Sequence, residues 1–147
     1  SIKENVLLSC IDRYAKHGYL DEKKEKQDVS EKAEALKIRM TGLDQRIIEL
    51  SGGNQQKAVF AKALMTNPKV FLCDEPTQAV DIMTRNEIHK LLREKADAGN
   101  AVVYVSSDLK EILEVADTIQ LVVQGETRQL LVNENLTTTE VLSYCYE

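Results

Sequence analysis

Residues 49–57, with the sequence Glu-Leu-Ser-Gly-Gly-Asn-Gln-Gln-Lys, constrain the fold of this chain more than any other stretch. A helical pattern follows the glycine pair and continues to Met65, just before Asn67-Pro68, which predicts a helix with Ser51 as its N-cap. Glycines in the first turn let a ligand approach the unpaired backbone N–H groups, and the positive end of the helix dipole favours an anion such as phosphate. An ordinary serine-capped helix fits the same residues.

A second feature lies shortly after this helix, where the apolar run Val70–Cys73 ends in Asp74-Glu75-Pro76-Thr77. A short continuous apolar run predicts a strand that is buried on both faces of a parallel sheet. Ligands of such folds bind at the carboxyl edge of the sheet, so Asp74 and Glu75 are predicted to lie at a binding edge. An acidic pair that only ends a strand fits the pattern as well.

Together, Leu50–Lys57 and Asp74–Thr77 resemble the signature and Walker B motifs of the ATPase subunits of ABC transporters. The form Leu-Ser-Gly-Gly-Asn-Gln-Gln-Lys looks most like the second nucleotide-binding half of the tandem ATPases that drive bacterial sugar importers. The resemblance runs from about Ile2 to Gly125. It implies a P-loop NTPase-like α/β fold, here a helical subdomain over residues 1–66 and a partial parallel sheet with flanking helices over residues 67–147.

In this family two nucleotide-binding halves sandwich ATP, and each signature helix faces the phosphate loop of the other half. The resemblance therefore implies ATP contacts from the start of the helix and from the loop after Walker B, at Ser51, Gly52, Gly53, Asn54, Gln55 and Asp81. It further implies that Asp74 holds Mg²⁺ through a water and that Glu75 polarises the attacking water. A metal-anchoring acid beside a water-orienting acid is a sufficient minimal arrangement for phosphoryl transfer.

The sequence departs from the family pattern at three places. Ser107 stands where these ATPases usually carry a histidine that contacts the γ-phosphate, which predicts an impaired site at Asp74 and Glu75; a cap for the following helix is an alternative role for Ser107. Gln78-Ala79 replaces the usual Arg-Gly before Val80-Asp81. No Gly-x-x-x-x-Gly-Lys-Ser/Thr phosphate loop occurs, so we expect a fragment of a larger protein that does not hydrolyse ATP alone.

The expected partners follow from the resemblance and from the composition. The resemblance implies another nucleotide-binding half, transmembrane permease subunits and, indirectly, a solute-binding protein, at the cytoplasmic face of the membrane. A net charge of −5 argues against a general nucleic-acid binder, and weighs against the alternative of an ABC-type ATPase acting on DNA or ribosomes. A non-catalytic binding half is the other alternative. Missing sheet strands would leave an open edge and an uncovered apolar face, which predicts self-association.

Helical and strand periodicities complete the prediction. The first third is expected to contain helices and no strand, with a helix from Ser1 to about Lys16, a break at His17-Gly18, a solvated charged loop over Asp21–Asp28 and a helix over Val29–Ile38. Asp81 is expected to cap a helix over Ile82–Ala98, which ends at Gly99-Asn100. The remainder alternates strands and helices, at Ala101–Ser106, Asp108–Ala116, Ile119–Val123, Thr127–Leu131 and Thr137–Tyr146.

Overall fold

The structure, a computed structural model, describes residues 1–16 and 19–146. Its helices are α1 (Ile2–Leu7), α2 (Glu22–Ala35), α3 (Gly52–Met65), α4 (Ile82–Asp97), α5 (Leu109–Val115) and α6 (Thr138–Tyr146), with short 3₁₀ turns at Ile11–Arg13 and Ile47–Glu49. Its strands are β1 (Ala15–Lys16), β2 (Tyr19–Leu20), β3 (Val70–Asp74), β4 (Ala101–Val105), β5 (Thr118–Val123) and β6 (Glu126–Val132).

The chain forms two compact units. The first consists of Ser1–Val70 and Thr77–Leu91, and the second of Phe71–Pro76 and the residues from Leu92 onward. In the first unit α1, α2 and α3 pack together around a core that includes Ile2, Val6, Val29, Ala33 and Ala61, each at most 1% exposed. The division at residues 66 and 67 stays a prediction about the parent fold.

The helix predicted from Ser1 to Lys16 is wrong in its length, although its capping box at Ser1 and Glu4 is confirmed. It ends at Leu7, and the chain then turns so that Arg13 donates hydrogen bonds to the carbonyls of Met65 (2.6 Å) and Thr66 (2.8 Å) at the end of α3. The last carbonyls of a helix accept no hydrogen bond within it, and Arg13 supplies the missing donors at the end of α3. Long-range capping therefore outweighs the helical periodicity of this segment.

The loop predicted over Asp21–Asp28 is wrong, because the segment belongs to α2. Asp21 is the N-cap, and its carboxylate accepts the N–H of Lys24 at 3.1 Å. The acidic residues of the first turn are stabilised by the positive end of the helix dipole. Glu25 is 2% exposed and pairs with Lys3 at 3.2 Å. The charges are thus partly structural, and the helix ends at Ala35, before the predicted Ile38.

The expectation of no strand in the first third is also wrong, since β1 pairs with β2 in an antiparallel hairpin. The predicted break at His17-Gly18 lies outside the described residues. Two-residue strands leave too short a pattern for periodicity to detect.

In the second unit β3 and β4 form the predicted parallel pair. The prediction that β3 is buried on both faces is wrong, because burial alternates along the strand and Leu72 is 79% exposed. In β4, Val103 and Val105 are half exposed. The prediction of an uncovered apolar face is thereby confirmed for these three side chains. Self-association stays a prediction.

The strands β5 and β6 pair antiparallel in a separate sheet, so the predicted parallel sheet is limited to β3 and β4. The hairpin turns at Gln124 and Gly125, with φ of 51° and 82°, a backbone suited to a tight two-residue turn. The capping box that predicts α6 is confirmed, because Thr137 and Glu140 exchange hydrogen bonds of 2.7 and 3.2 Å. Helices α5 and α6 pack on the hairpin around Ile112, Leu121, Leu131 and Val141.

Candidate functional site

The start of α3 has the exposed backbone that the sequence predicts. Ser51 and Gly52 are exposed, and the first intrahelical bond runs from the N–H of Gln55 to the carbonyl of Ser51 at 2.9 Å. The three N–H groups before Gln55 therefore have no acceptor within the helix. The first turn of α3 carries no acidic side chain that would offset the positive end of the helix dipole. This helix start favours an anionic ligand.

Polar side chains behind the helix start are engaged with the chain itself. Ser51 occupies the N-cap position, but its side chain makes no cap bond; its hydroxyl accepts instead from the Asn54 amide at 2.9 Å. The Asn54 carbonyl oxygen accepts the N–H of Arg39 at 2.9 Å, and the Gln55 amide donates to the carbonyl of Leu50 at 2.8 Å. In this structure Asn54 and Gln55 hold the turn that precedes α3, and their direct contact with nucleotide stays a prediction.

Gly53 lies against the start of α4, within the first unit. A Cβ at Gly53 would lie 2.7 Å from the Thr84 hydroxyl oxygen and 3.3 Å from a carboxylate oxygen of Asp81. At Gly52 it would meet only the carbonyl oxygen of Ala79, at 4.0 Å. Close packing against Thr84 therefore requires glycine at position 53, whereas glycine at position 52 leaves the start of the helix open.

Asp81 caps α4, as predicted. Its carboxylate accepts the Thr84 N–H and the Thr84 hydroxyl, both at 2.9 Å. These bonds, the backbone one first, lower the pKa of Asp81 below its ordinary value. The cap therefore stabilises the fold above the ordinary aspartate pKa, and this contribution is lost as the pH falls through the lowered value. The crossing of this loop to another half stays a prediction.

The loop before Asp81 bends at Ala79, which has a φ of 58°. Such left-handed backbone favours glycine, the residue that the sequence resemblance implies at this position. Alanine adopts this bend at a conformational cost of roughly 1–2 kcal/mol.

An ion pair in which only the lysine is buried joins α3 to α4 further along the first unit. Lys57 is 10% exposed, and its ammonium lies 2.5 Å from the carboxylate of Glu87, which is 38% exposed. The Lys37 ammonium lies 4.0 Å from the same carboxylate and is 78% exposed. Sequence reasoning missed this pair, because the charges along one helix do not show which residue of another helix they contact.

We expect Glu87→Gln to lower the free energy of unfolding more than Lys57→Met, by about 1 kcal/mol or more. Removing Glu87 leaves a buried ammonium without its counter-ion, whereas removing Lys57 leaves a carboxylate that water can reach. Urea unfolding of the two variants measures the difference, and Lys37→Met, at the exposed neighbour, should change stability little. An equal or larger cost for Lys57→Met would contradict this assignment.

The carboxylate pair lies in the second unit, at the carboxyl end of β3. Asp74 is the last residue of the strand and is exposed. Glu75 follows with a φ of 43°, and its N–H donates to the carbonyl of Val105 at 2.9 Å. A non-glycine residue in this region is strained by roughly 1–3 kcal/mol, and such strain clusters at functional sites.

Hydrogen bonds from the end of β4 hold the Glu75 carboxylate. One oxygen accepts the N–H of Ser107 at 2.8 Å, and the other lies 3.4 Å from the Ser106 hydroxyl oxygen. The structure thus brings together Glu75 and Ser107, which the sequence singled out. The prediction that Ser107 caps the next helix is wrong, because Asp108 caps α5 through bonds from Lys110 (3.0 Å) and Glu111 (3.4 Å).

The predicted role of Asp74 in magnesium binding stays a prediction. Mg²⁺ in nucleotide sites is bound by one or two carboxylates together with phosphate oxygens and waters. Over residues 1–16 and 19–146, no group of three or more His, Cys, Asp or Glu side chains could hold a metal ion. A single exposed carboxylate at the strand end fits an ion that takes its other ligands from a nucleotide and from water.

Sequence reasoning missed Thr84, Ser106 and Glu111. Thr84 stands three residues after Asp81, the position whose backbone N–H an N-cap side chain accepts, and that spacing could have found it. Ser106 and Glu111 carry no such signal.

In the part of the chain that the structure describes, no helix combines the length and the apolar character needed to span a bilayer.

The fold is that of ABC ATPase cassettes. A bacterial ABC transporter cassette solved as a dimer superposes with a TM-score of 0.78 at 27% identity, covering 92% of this chain and 58% of that one. The same cassette is known in a post-hydrolysis state bound to ADP and Pi.

Sequence comparison gives the family. The ABC transporter family model matches residues 1–78, more than half of the 147 residues. The xylose import ATP-binding protein XylG of Paraburkholderia xenovorans is 39% identical over 143 residues, which is 97% of this chain and 28% of that protein. The ribose import ATP-binding protein RbsA of Lactococcus lactis is 39% identical over 97% of this chain and 29% of its own length. The chain belongs to the ABC transporter family.

Proposed function

We propose that this chain forms part of the ATP-hydrolysing subunit of an ABC importer for a sugar. Its place is the carboxyl-terminal part of the second nucleotide-binding half. The observation that carries the proposal is the start of α3, where Ser51 and Gly52 are exposed, the first three N–H groups have no acceptor within the helix and the first turn itself carries no acidic residue. The relatives named for xylose and ribose import support the solute class, although this chain spans less than a third of their length.

In the proposed site the first turn of α3 grips the terminal phosphate of an ATP that another lobe holds. The exposed residues Ser51 and Gly52 contact it in this proposal, and Gly53 allows the helix start to pack closely on Thr84 and Asp81. The dimeric cassette among the structural relatives supports a pairing of two such halves. The chain alone has no phosphate loop, so we expect it to bind as a non-catalytic half until that lobe is present.

The carboxylate pair serves a second, slower site. Asp74 contributes to Mg²⁺ binding, and Glu75 orients the attacking water. Ser107 gives Glu75 a backbone N–H, but its side chain cannot supply the charge or proton chemistry of an imidazole. The two sites of the sandwich are therefore unequal.

The remaining partners follow from the importer assignment. Transmembrane permease subunits bind the assembled ATPase at the cytoplasmic face of the membrane, and a solute-binding protein acts through them. The net charge of −5 favours this assignment over an ABC-type ATPase that acts on nucleic acid.

The test compares two exposed serines changed to the same residue. In the chain assembled with a lobe that carries a phosphate loop, Ser51→Ala should lower ATP turnover by about 10-fold, the loss of one charge-assisted hydrogen bond. Ser107→Ala keeps its N–H bond to Glu75 and should lower turnover much less. Steady-state phosphate release measures both. Equal effects would refute the asymmetry, and hydrolysis by the isolated chain would contradict the need for a second lobe.

A further inference from the structure

The hydroxyl of Ser106 lies between two carboxylates in the second unit. Its oxygen is 2.9 Å from Glu111 and 3.4 Å from Glu75, and it accepts the N–H of Asp108 at 3.1 Å. A hydroxyl has one proton to donate. The shorter distance assigns that proton to Glu111.

Glu111 is buried, with 4% of its surface exposed, in the first turn of α5. A buried carboxylate is costly unless hydrogen bonds compensate it. Its bond from Ser106 reaches the turn that follows β4, and the next residue of that turn, Ser107, donates to Glu75. Glu111 is thus two hydrogen bonds and one peptide unit away from the carboxylate pair.

The backbone at Glu75 needs this support. Its φ of 43° is strained, and two hydrogen bonds hold it there: its N–H donates to the Val105 carbonyl, and its carboxylate accepts the Ser107 N–H. A shift of the Ser106–Ser107 turn would therefore move the carboxylate that orients water.

We propose that Ser106 and Glu111 are positioning residues for Glu75. The Glu111 carboxylate accepts a hydrogen bond from the Ser106 hydroxyl and so fixes the turn. The turn aims the Ser107 N–H at one oxygen of Glu75, and the other oxygen is left as an acceptor for a water. The proposal rests on the proposed function, because it assigns Glu75 to water activation in the slower site.

The first test uses amide hydrogen exchange of Ser107 in the chain itself. Ser106→Ala and Glu111→Ala should each speed exchange of the Ser107 N–H by about 10-fold, the loss of one net hydrogen bond. Ser106→Thr keeps the hydroxyl and should retain the wild-type rate. Glu114→Ala, at an exposed glutamate of the same helix, is the matched control and should also leave the rate unchanged. Unchanged exchange in Ser106→Ala would overturn the proposal.

The second test separates positioning from the role of Glu75. In the assembled ATPase, Ser106→Ala should lower kcat of the slow hydrolytic phase and leave KM for ATP within about twofold. A change confined to KM would overturn the proposal. If Glu75→Gln leaves the slow phase intact, the proposed role of Glu75 fails, while the exchange data still decide whether Ser106 holds the turn. Should Glu111→Ala not fold, the Ser106→Ala and Ser106→Thr pair decides alone.

Discussion

Gly52→Ala is expected to weaken ATP-dependent association with the phosphate-loop lobe by about 10- to 100-fold, at unchanged or higher stability. The added methyl group meets only the Ala79 carbonyl oxygen, at 4.0 Å, so the fold has room for it. Alanine within a helix is also favoured over glycine by roughly 0.5–1 kcal/mol. The same methyl group projects from an exposed helix start, where it keeps a phosphate from reaching the N–H groups.

Two measurements on one variant test this prediction. Titration of labelled chain with the lobe, at saturating ATP, gives the affinity, and thermal unfolding gives the stability. Gly42→Ala is the control, because a Cβ at Gly42 has nothing within 4 Å and the residue lies outside α3. Wild-type affinity for Gly52→Ala would show that the phosphate does not approach this turn.

Gly53→Ala should instead destabilise the chain itself, by about 1–3 kcal/mol, the usual cost of forcing a methyl group into a packed contact. Its Cβ would lie 2.7 Å from the Thr84 hydroxyl oxygen, which is itself bonded to Asp81 at 2.9 Å. The clash therefore pushes α3 away from the cap of α4 or breaks that cap. Urea unfolding measures the loss of stability.

A double-mutant cycle attributes the loss to this contact. Thr84→Ala removes the hydroxyl and the methyl group that Gly53→Ala would meet, so the second substitution should cost at least about 1 kcal/mol less in that background. Additive costs would place the strain elsewhere in the first unit. Gly42→Ala again serves as the substitution without a contact, and we expect it to change stability by about 0.5 kcal/mol or less.

Local signals in the sequence predicted the elements that local bonds define. The capping boxes of Ser1 with Glu4 and of Thr137 with Glu140 are present, and α4 starts after Asp81 and ends before Gly99, whose φ is 90°. The strand before Asp74 was also found, because its apolar run has a clear end. Each of these features depends on residues only a few positions apart.

Features that depend on distant residues were missed. The early end of α1 follows from Arg13, whose hydrogen-bond acceptors lie some fifty residues away, at Met65 and Thr66. The close contact of Gly53 with Thr84 follows from how α3 packs on the start of α4 and not from spacing along the chain. The two motifs locate the candidate site in the sequence. Only the geometry separates its exposed residues, such as Gly52, from residues that pack within the fold, such as Gly53.

The most direct measurement follows the backbone amides of Gly52 and Gly53 by nuclear magnetic resonance in the isotope-labelled chain, with an unlabelled phosphate-loop lobe, Mg²⁺ and a non-hydrolysable ATP analogue. We expect large chemical-shift changes at these two amides, smaller changes with ADP, and none at Gly42 or at Gly125 in the hairpin turn. Bound nucleotide that leaves the Gly52 and Gly53 amides unchanged would contradict a phosphate-gripping role for the start of α3.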